Sequence, residues 1–319
     1  MPNLMLTNYC NYHCSYCFGK DIMFPKNPRQ TMSRDTFNGI VEWVKKGPSD
    51  RVFHLMGGEP TLHPDIDWMV ARLLEEDMQI TIFSNLATKG AVDLAKKIAD
   101  LPVNWVVNVN DPAHWNAIQQ EHITAALEIL KGQACLTFNV MPDEDDNLWA
   151  LEYTRKFNLD KTIKVGFLLP TYNQTNEALN DDQYSVVAAK VTRLAQEAAK
   201  YDIQLDYECG VPTCAFTDEQ LGILWRCKSE LQSGCHSRLD ITPEGEVIYC
   251  LPLATLGSKH FSQWDCYHEA CMWFEQRFQP YRMLGRRLEC VSCNLHNSAA
   301  CNAGCLAKNL INCKNINLK

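Results

Sequence analysis

The feature that most constrains this chain is a sixfold alternation of short apolar runs with longer amphipathic segments. Strand-like runs fall at Leu4–Thr7, Val52–Met56, Gln79–Ser84, Val103–Asn110, Ala134–Met141 and Ile163–Leu169. Between and after them, Thr36–Lys46, Asp65–Glu76, Lys89–Asp100, Trp115–Lys131, Leu148–Asn158 and Asp181–Tyr201 carry apolar residues at helical spacing. Six such units predict an α/β fold, a parallel sheet covered by helices. Periodicity alone leaves a partial barrel and an open doubly wound sheet equally available. Ser33 and Asp181 are the expected N-caps of the first and last helices. His54, set among apolar neighbours on the second run, reads as a packed core histidine.

The first run leads directly into Cys10, Cys14 and Cys17, spaced C-x3-C-x2-C. Three thiols in one short loop suit an iron–sulfur cluster and leave one iron of a cubane without a protein ligand. A zinc site completed by His13 or a distant thiol is the competing reading. The second run ends in Met56-Gly57-Gly58-Glu59-Pro60, whose glycines permit a tight turn and close approach of a ligand to the backbone. Polar residues follow the later runs: Ser84-Asn85, Asn108, Asn110 and Asn139. Ligands of parallel α/β folds gather at these strand ends.

The cysteine loop and the Gly-Gly-Glu-Pro turn resemble those of the radical S-adenosylmethionine (radical SAM) superfamily. That resemblance implies a partial (β/α)6 barrel and one site-differentiated 4Fe-4S cluster held by Cys10, Cys14 and Cys17. SAM would chelate the open iron and be cleaved reductively to a 5′-deoxyadenosyl radical. It further implies that Tyr16 lies beside the adenine, that Gly57, Gly58 and Glu59 face SAM, and that Ser84, Asn108 and Asn139 approach its ribose or methionine part. The family more often has Ser and Asp on the fourth strand, so Asn108 and Asn110 depart from its pattern.

Cysteine use divides the chain. Of sixteen cysteines, only Cys135 lies between Cys17 and Cys209, and twelve fall from Cys209 onward. In a reducing compartment such a density reads as metal ligation rather than disulfides. Cys235 and Cys250 flank a predicted hairpin, Leu239–Thr242 and Glu246–Tyr249, turned by Pro243-Glu244-Gly245. Downstream, Cys290-x2-Cys293-x7-Cys301-x3-Cys305-x7-Cys313 resembles the SPASM extension of radical SAM proteins, which binds two auxiliary 4Fe-4S clusters. The family usually has five residues where seven separate Cys293 from Cys301. By the family pattern Cys235, Cys250 and Cys305 hold the first auxiliary cluster, with Cys227 as fourth ligand and Cys214 competing for that role. Cys290, Cys293, Cys301 and Cys313 hold the second. A zinc module and a tail with a single cluster are the alternatives. The expected division is a barrel over 1–208, a bridging region over 209–234 and the cysteine-rich auxiliary domain over 235–319.

Composition narrows the partners. A net charge of −8, with no Lys/Arg stripe, argues against nucleic acid, and no run approaches the length of a membrane span. With no signal peptide, the expectation is a cytoplasmic enzyme. The resemblance implies peptide maturation: abstraction of a C–H hydrogen, then cross-linking or oxidation with auxiliary clusters as electron acceptors. An electron donor such as flavodoxin or ferredoxin is implied. So is a separate leader-recognition protein, because the first strand begins near residue 3. The second expectation is a small-molecule dehydrogenase or epimerase acting on a sugar or cyclitol, with Cys209, Cys214, Cys266 or Cys271 as hydrogen donor. Sulfatase maturation is disfavoured, since Leu251 stands after Cys250 where that subfamily commonly has an Asp. Phe18–Gln30 and the ends of the later strands are where substrate contacts are sought; Asp111, Tyr172, Asp206 and Glu208 are candidates to line the mouth, with solvated surface or packing as their ordinary reading.

Overall fold

The computed structural model describes residues 1–48, 51–229, 231, 233–235, 238–282, 285 and 288–315, with side chains through 312. Its centre is a parallel sheet of β1 (Asn3–Met5), β2 (Val52–Met56), β3 (Gln79–Ser84), β4 (Val103–Asn108), β5 (Ala134–Val140), β6 (Thr162–Phe167) and β7 (Gln204–Tyr207), paired in chain order. The connecting helices are α1 (Arg34–Lys45), α2 (Ile66–Glu75), α3 (Lys89–Ile98), α4 (Ala117–Leu130), α5 (Trp149–Lys156) and α6 (Gln183–Ala199). This is the α/β architecture of a partial TIM-type barrel. The structure adds a seventh strand, β7, to the six expected.

Local chemistry explains the element ends. Ser33 Oγ accepts the Thr36 N–H at 3.0 Å to start α1, and Thr88 does the same for α3 through Ala91 at 3.0 Å. Asn116 and Gln119 form a reciprocal capping box at α4. The expected cap Asp181 is not the one used. Asp182 occupies the N-cap of α6 without a side-chain cap bond, and Asn180 and Gln183 exchange the flanking hydrogen bonds at 3.0 Å.

Strand alternation sorts the two faces of the sheet. Trp105 and Val107 on β4, Leu136 and Phe138 on β5, and Leu205 and Tyr207 on β7 belong to the main core with the helices. Their alternates, Asn104 and Asn108, Cys135, Thr137 and Asn139, and Asp206, therefore take the other, inner face. His54 lies there too, buried at 6% exposure as expected. Its Nδ1 is 2.9 Å from Asn3 Oδ1, and burial pushes its pKa down to about 3, with the Arg238 charge adding to the effect.

After α7 (Asp218–Arg226) the chain returns to the sheet. The expected hairpin forms as β8 (Asp240–Ile241) and β9 (Glu246–Ile248), extended by β10 (Lys259–His260). β8 pairs parallel with β1 (Asn3 with Asp240, Leu4 with Ile241), so the tail continues the barrel's sheet. Asn3 Nδ2 donates to Asp240 Oδ1 at 2.6 Å, and Asp240 Oδ2 accepts the Leu251 N–H at 2.7 Å. Helix α8 (Tyr267–Arg282) packs on α1, where Tyr267 meets Trp43 edge-on at 5.6 Å. α9 (Asn294–Asn297) and α10 (Leu306–Asn315) complete the tail.

Candidate active site and thiol sets

β1 delivers the cysteine loop, and Asn8 staples the excursion that follows. Its Oδ1 accepts the Gln30 N–H at 2.8 Å, and its Nδ2 donates to Pro28 O at 2.8 Å. Within the loop the Cys17 N–H donates to Cys14 O at 3.2 Å, and the Tyr12 N–H approaches Cys10 Sγ at 3.4 Å. The three thiols lie within electrostatic reach of one another. Burial pushes Cys10 up to about 12, opposed by the Tyr12 N–H and reinforced by Glu59, Cys14 and Cys17. Burial raises Cys14 and Cys17 as well. Three soft donors in one short loop whose negative charge costs this much fit an iron–sulfur cluster, because bound iron would supply the compensating positive charge.

A second loop, after β6, holds the first in place. Asn176 Nδ2 donates to Tyr16 O at 3.0 Å, Ser15 Oγ donates to Glu177 Oε2 at 2.6 Å, and Thr175 Oγ1 donates to Asp21 Oδ1 at 2.7 Å. The Tyr172 N–H donates to Pro252 O at 2.8 Å, which ties the same loop to the tail. No local pattern in the sequence marks this latch. Its partners are separated from the cysteine loop by some 160 residues.

The Gly-Gly-Glu turn sits directly beneath the cysteine loop. The Gly58 N–H donates to Thr7 O at 2.7 Å and the Glu59 N–H to Tyr9 O at 2.9 Å. A Cβ at Gly58 would lie 2.0 Å from Tyr9 O, so only glycine fits there. Glu59 is fully buried and accepts four hydrogen bonds: Thr61 N–H at 3.1 Å, Thr61 Oγ1 at 2.6 Å, Ser84 Oγ at 2.7 Å and Asn85 N–H at 2.8 Å. Burial raises its pKa while these donors lower it. Ser84, expected on SAM, thus spends its hydroxyl on Glu59. Asn85, which was not assigned a contact, bonds Asn11 at 2.8 Å and lies 3.9 Å from Cys10 Sγ.

Tyr16 Oη hydrogen-bonds Asn110 Oδ1, linking the cysteine loop to the end of β4. Asn108 is exposed and Asn139 half-buried on the inner face. Beyond them the wall becomes charged. Lys164 Nζ pairs with Asp206 at 2.7 Å, and the exposed Glu208 carboxylate hydrogen-bonds Thr137. Asp206 is half-buried and Glu208 exposed, in keeping with the surface or packing role read from the sequence. Phe18, Ile22 and Met23, from the segment expected to meet substrate, pack against Met5, Met56, Ile248 and Leu251.

The tail thiols fall into two groups. Cys250 lies within electrostatic reach of Cys235, Cys305 and Cys209, and Cys209 within reach of Cys305 and Cys235. Cys235 Sγ also meets Tyr249 Oη at 4.0 Å, and Arg282 in turn hydrogen-bonds that hydroxyl. Cys209 is thus within electrostatic reach of all three, whereas Cys227, the expected fourth ligand, is not among the thiols that influence Cys250 or Cys209. Cys227 caps the end of α7 and faces Tyr207. The second group, Cys290, Cys293 and Cys301, lines a pocket together with Cys214 and His296. Cys313 lies outside the residues whose side chains are described. Among the described residues no three His, Cys, Asp or Glu side chains converge on a single-ion geometry. Cys209 and Cys214, expected as hydrogen donors, thus sit in the thiol groups. Cys266 packs against Gly47 at the end of α1, and Cys271 lies beside Tyr267, both on the α1–α8 side.

Comparison with known proteins agrees with this geometry. Residues 4–110 match the family model described as the Radical SAM superfamily. No curated relative matches the chain. Among solved structures, native anSMEcpe with bound AdoMet is 14% identical with a TM-score of 0.68, covering 96% of this chain and 89% of that one. Streptococcus suis SuiB bound to S-adenosylmethionine is 15% identical with a TM-score of 0.66, covering 92% and 70%. SuiB bound to precursor peptide SuiA gives 13%, 0.65, 92% and 69%. Residues 4–110 thus match the radical SAM superfamily, and the fold of nearly the whole chain is similar to that of these solved structures.

Proposed function

We propose that this protein modifies a peptide by radical-initiated oxidation, with two auxiliary four-iron clusters in its tail as electron acceptors. When bound, the loop's cluster and SAM supply a 5′-deoxyadenosyl radical able to remove hydrogen from an unactivated carbon. Cys10, Cys14 and Cys17 hold that cluster at the end of β1. Glu59, buried and fixed by four donors, offers a negative charge to the SAM amino group. The inner wall from Asn108 to Glu208 orients the substrate, with the Lys164–Asp206 pair and the Glu208 carboxyl as its polar contacts.

The observation that carries this reading is the apolar cluster joining Phe18, Ile22 and Met23 to Ile248 and Leu251. It seats the residues after Cys17 against those flanking Cys250, so the two iron sites share one wall. Peptide as the substrate class is supported by the solved neighbours that contain precursor peptide SuiA and the Cp18Cys peptide. A flavodoxin or ferredoxin donor and a separate leader-recognition protein belong to the same reading.

The test is anaerobic turnover with SAM, dithionite and a panel of candidate peptides, among them the product of any short open reading frame adjacent to this gene. The expected result is 5′-deoxyadenosine together with a peptide that has lost two hydrogen atoms. A panel left unchanged while 5′-deoxyadenosine accumulates would overturn the substrate assignment. The second reading, an epimerase, is favoured by one placement. Cys135 lies on the inner face within electrostatic reach of Lys164, Glu208 and Asp206. Solvent deuterium in a product of otherwise unchanged composition would support it.

A further inference from the structure

The two thiols that the tail's own cysteine spacing does not supply, Cys209 and Cys214, belong to one hexapeptide, Cys209-Gly210-Val211-Pro212-Thr213-Cys214. We propose that this hexapeptide is a strap supplying one ligand to each auxiliary cluster, Cys209 beside Cys235, Cys250 and Cys305, and Cys214 beside Cys290, Cys293 and Cys301. The proposal rests on the auxiliary-cluster reading above and departs from the family pattern, which points to Cys227 and Cys313.

Backbone packing places the strap, independently of any side-chain rotamer. Gly210 lies against Gly234, the residue before Cys235, where a Cβ at position 210 would meet Gly234 O at 2.5 Å. Gly304, the residue before Cys305, lies against the strap in turn. A Cβ there would meet Pro212 N at 3.0 Å and Gly210 O at 3.1 Å. The Gly304 N–H donates to Ser233 O at 3.0 Å, so the stretches carrying Cys209, Cys235 and Cys305 are layered directly on one another. Side chains at 210 or 304 would force these layers apart.

The other end of the strap is fixed as firmly. Val211 is buried at 2% exposure and Phe216 at 6%. Between them Thr213–Ala215 makes one tight helical turn, with the Phe216 N–H donating to Thr213 O at 3.1 Å. That turn presents Cys214 to the pocket lined by Cys290, Cys293 and Cys301, and Pro212 contributes to the same lining. Five residue steps span at most about 17 Å, so the strap holds the two sites at a short, fixed separation. Glu208, at the end of β7, directly precedes Cys209. The strap therefore connects the substrate wall to both thiol groups.

The experiment starts from the full chain with Cys10, Cys14 and Cys17 changed to Ala, reconstituted anaerobically with ferrous iron and sulfide. Iron, sulfide and zinc are counted, and the clusters are examined by electron paramagnetic resonance. About eight irons are expected in this background. Adding Cys209→Ala or Cys214→Ala is expected to remove about four irons or to convert one cluster to a three-iron signal on oxidation. Cys227→Ala is expected to change neither readout. A background without iron would defeat the auxiliary-cluster reading and the strap with it. A full background in which Cys227→Ala and Cys313→Ala, not the strap variants, lose iron would overturn the strap alone. Because a strap variant can also fail to fold, the unsubstituted holoenzyme is alkylated in parallel. Cys209 and Cys214 are expected to be protected until iron is chelated, with Cys227 labelled throughout; the reverse pattern would overturn the proposal.

Discussion

The loop after β1 and the cysteine-rich tail bring thiols together by opposite means. Cys10, Cys14 and Cys17 lie within eight consecutive residues, so chain connectivity alone brings three thiols together. The tail gathers Cys209, Cys235, Cys250 and Cys305 from four separate stretches and needs the folded sheet to assemble them. A local site is written in residue spacing. A dispersed one is written in packing, through Gly210 on Gly234, Gly304 on Pro212, and β8 on β1.

If that contrast is right, the two regions fail differently. Changing Cys10, Cys14 and Cys17 to Ala is expected to abolish SAM cleavage completely while leaving tail iron and overall fold intact. Quantifying 5′-deoxyadenosine and iron in one preparation checks both halves. Loss of tail iron in that variant would mean the regions are not independent.

The next effect concerns the carboxylate beneath the loop. Glu59→Gln replaces an acceptor held by four donors with a group that must aim its own N–H at one of them. A cost of about 1–3 kcal/mol in stability is expected, with SAM binding weakened by roughly 10- to 100-fold through loss of a charged hydrogen bond. Denaturation midpoints and SAM titration separate the two. Weakened binding at unchanged stability would show that Glu59 acts on the ligand alone.

Much of this was legible in advance. All six expected inner strands begin within one residue of their observed starts; β1 starts at Asn3 rather than Leu4 and β6 at Thr162 rather than Ile163. β7 escaped notice because Gln204-Leu205-Asp206-Tyr207 is only four residues long and half polar. The same alternation that hid it places Asp206 and Glu208 on the inner face. Asp181 was a natural cap candidate because Asn180, Asp181 and Asp182 are all cap formers, and spacing cannot choose among them. Ser84 was correctly placed at a strand end, but only the fold shows its hydroxyl 2.7 Å from Glu59. Cys209 read as an isolated thiol since 26 positions separate it from Cys235, and nothing local marks a backbone contact between Gly210 and Gly234.

The seam between the two regions carries a pH signature. Asn3 bonds both His54 at 2.9 Å and Asp240 at 2.6 Å, joining β2, β1 and β8. His54 is pushed by burial from 6.5 to about 3. Between those values the unfolded state binds the extra proton, so this group makes stability fall as pH falls. Asp240 is pushed by burial from 3.8 to about 7. Between those values the folded state binds the extra proton, so this group makes stability fall as pH rises. From about pH 4 to 6.5 the two slopes oppose one another, each at most about 1.4 kcal/mol per pH unit. His54→Gln is expected to leave the Asp240 slope exposed, and Asp240→Asn the His54 slope. Urea denaturation across this range measures both. Parallel changes in the two variants would show that the seam titrates as one unit.

The smallest expected effects belong to Cys266 and Cys271, which lie on the α1–α8 side, away from the inner face. Single Ala variants should cost on the order of 1 kcal/mol as ordinary packing losses and leave iron content and turnover unchanged. The comparison turns on this pair, because a hydrogen donor must approach the substrate carbon itself. If either variant halted product formation at full iron content, the substrate would have to reach the α1–α8 face. The inner wall of Lys164, Asp206 and Glu208 would then lose its role, and the division of labour between a local radical site and a dispersed redox tail would fail with it. Unchanged turnover leaves Cys135 as the thiol on the inner face to test for epimerisation, by Cys135→Ser in deuterated solvent. Deuterium in the product that disappears in this variant would replace oxidation by the auxiliary clusters with quenching by a thiol.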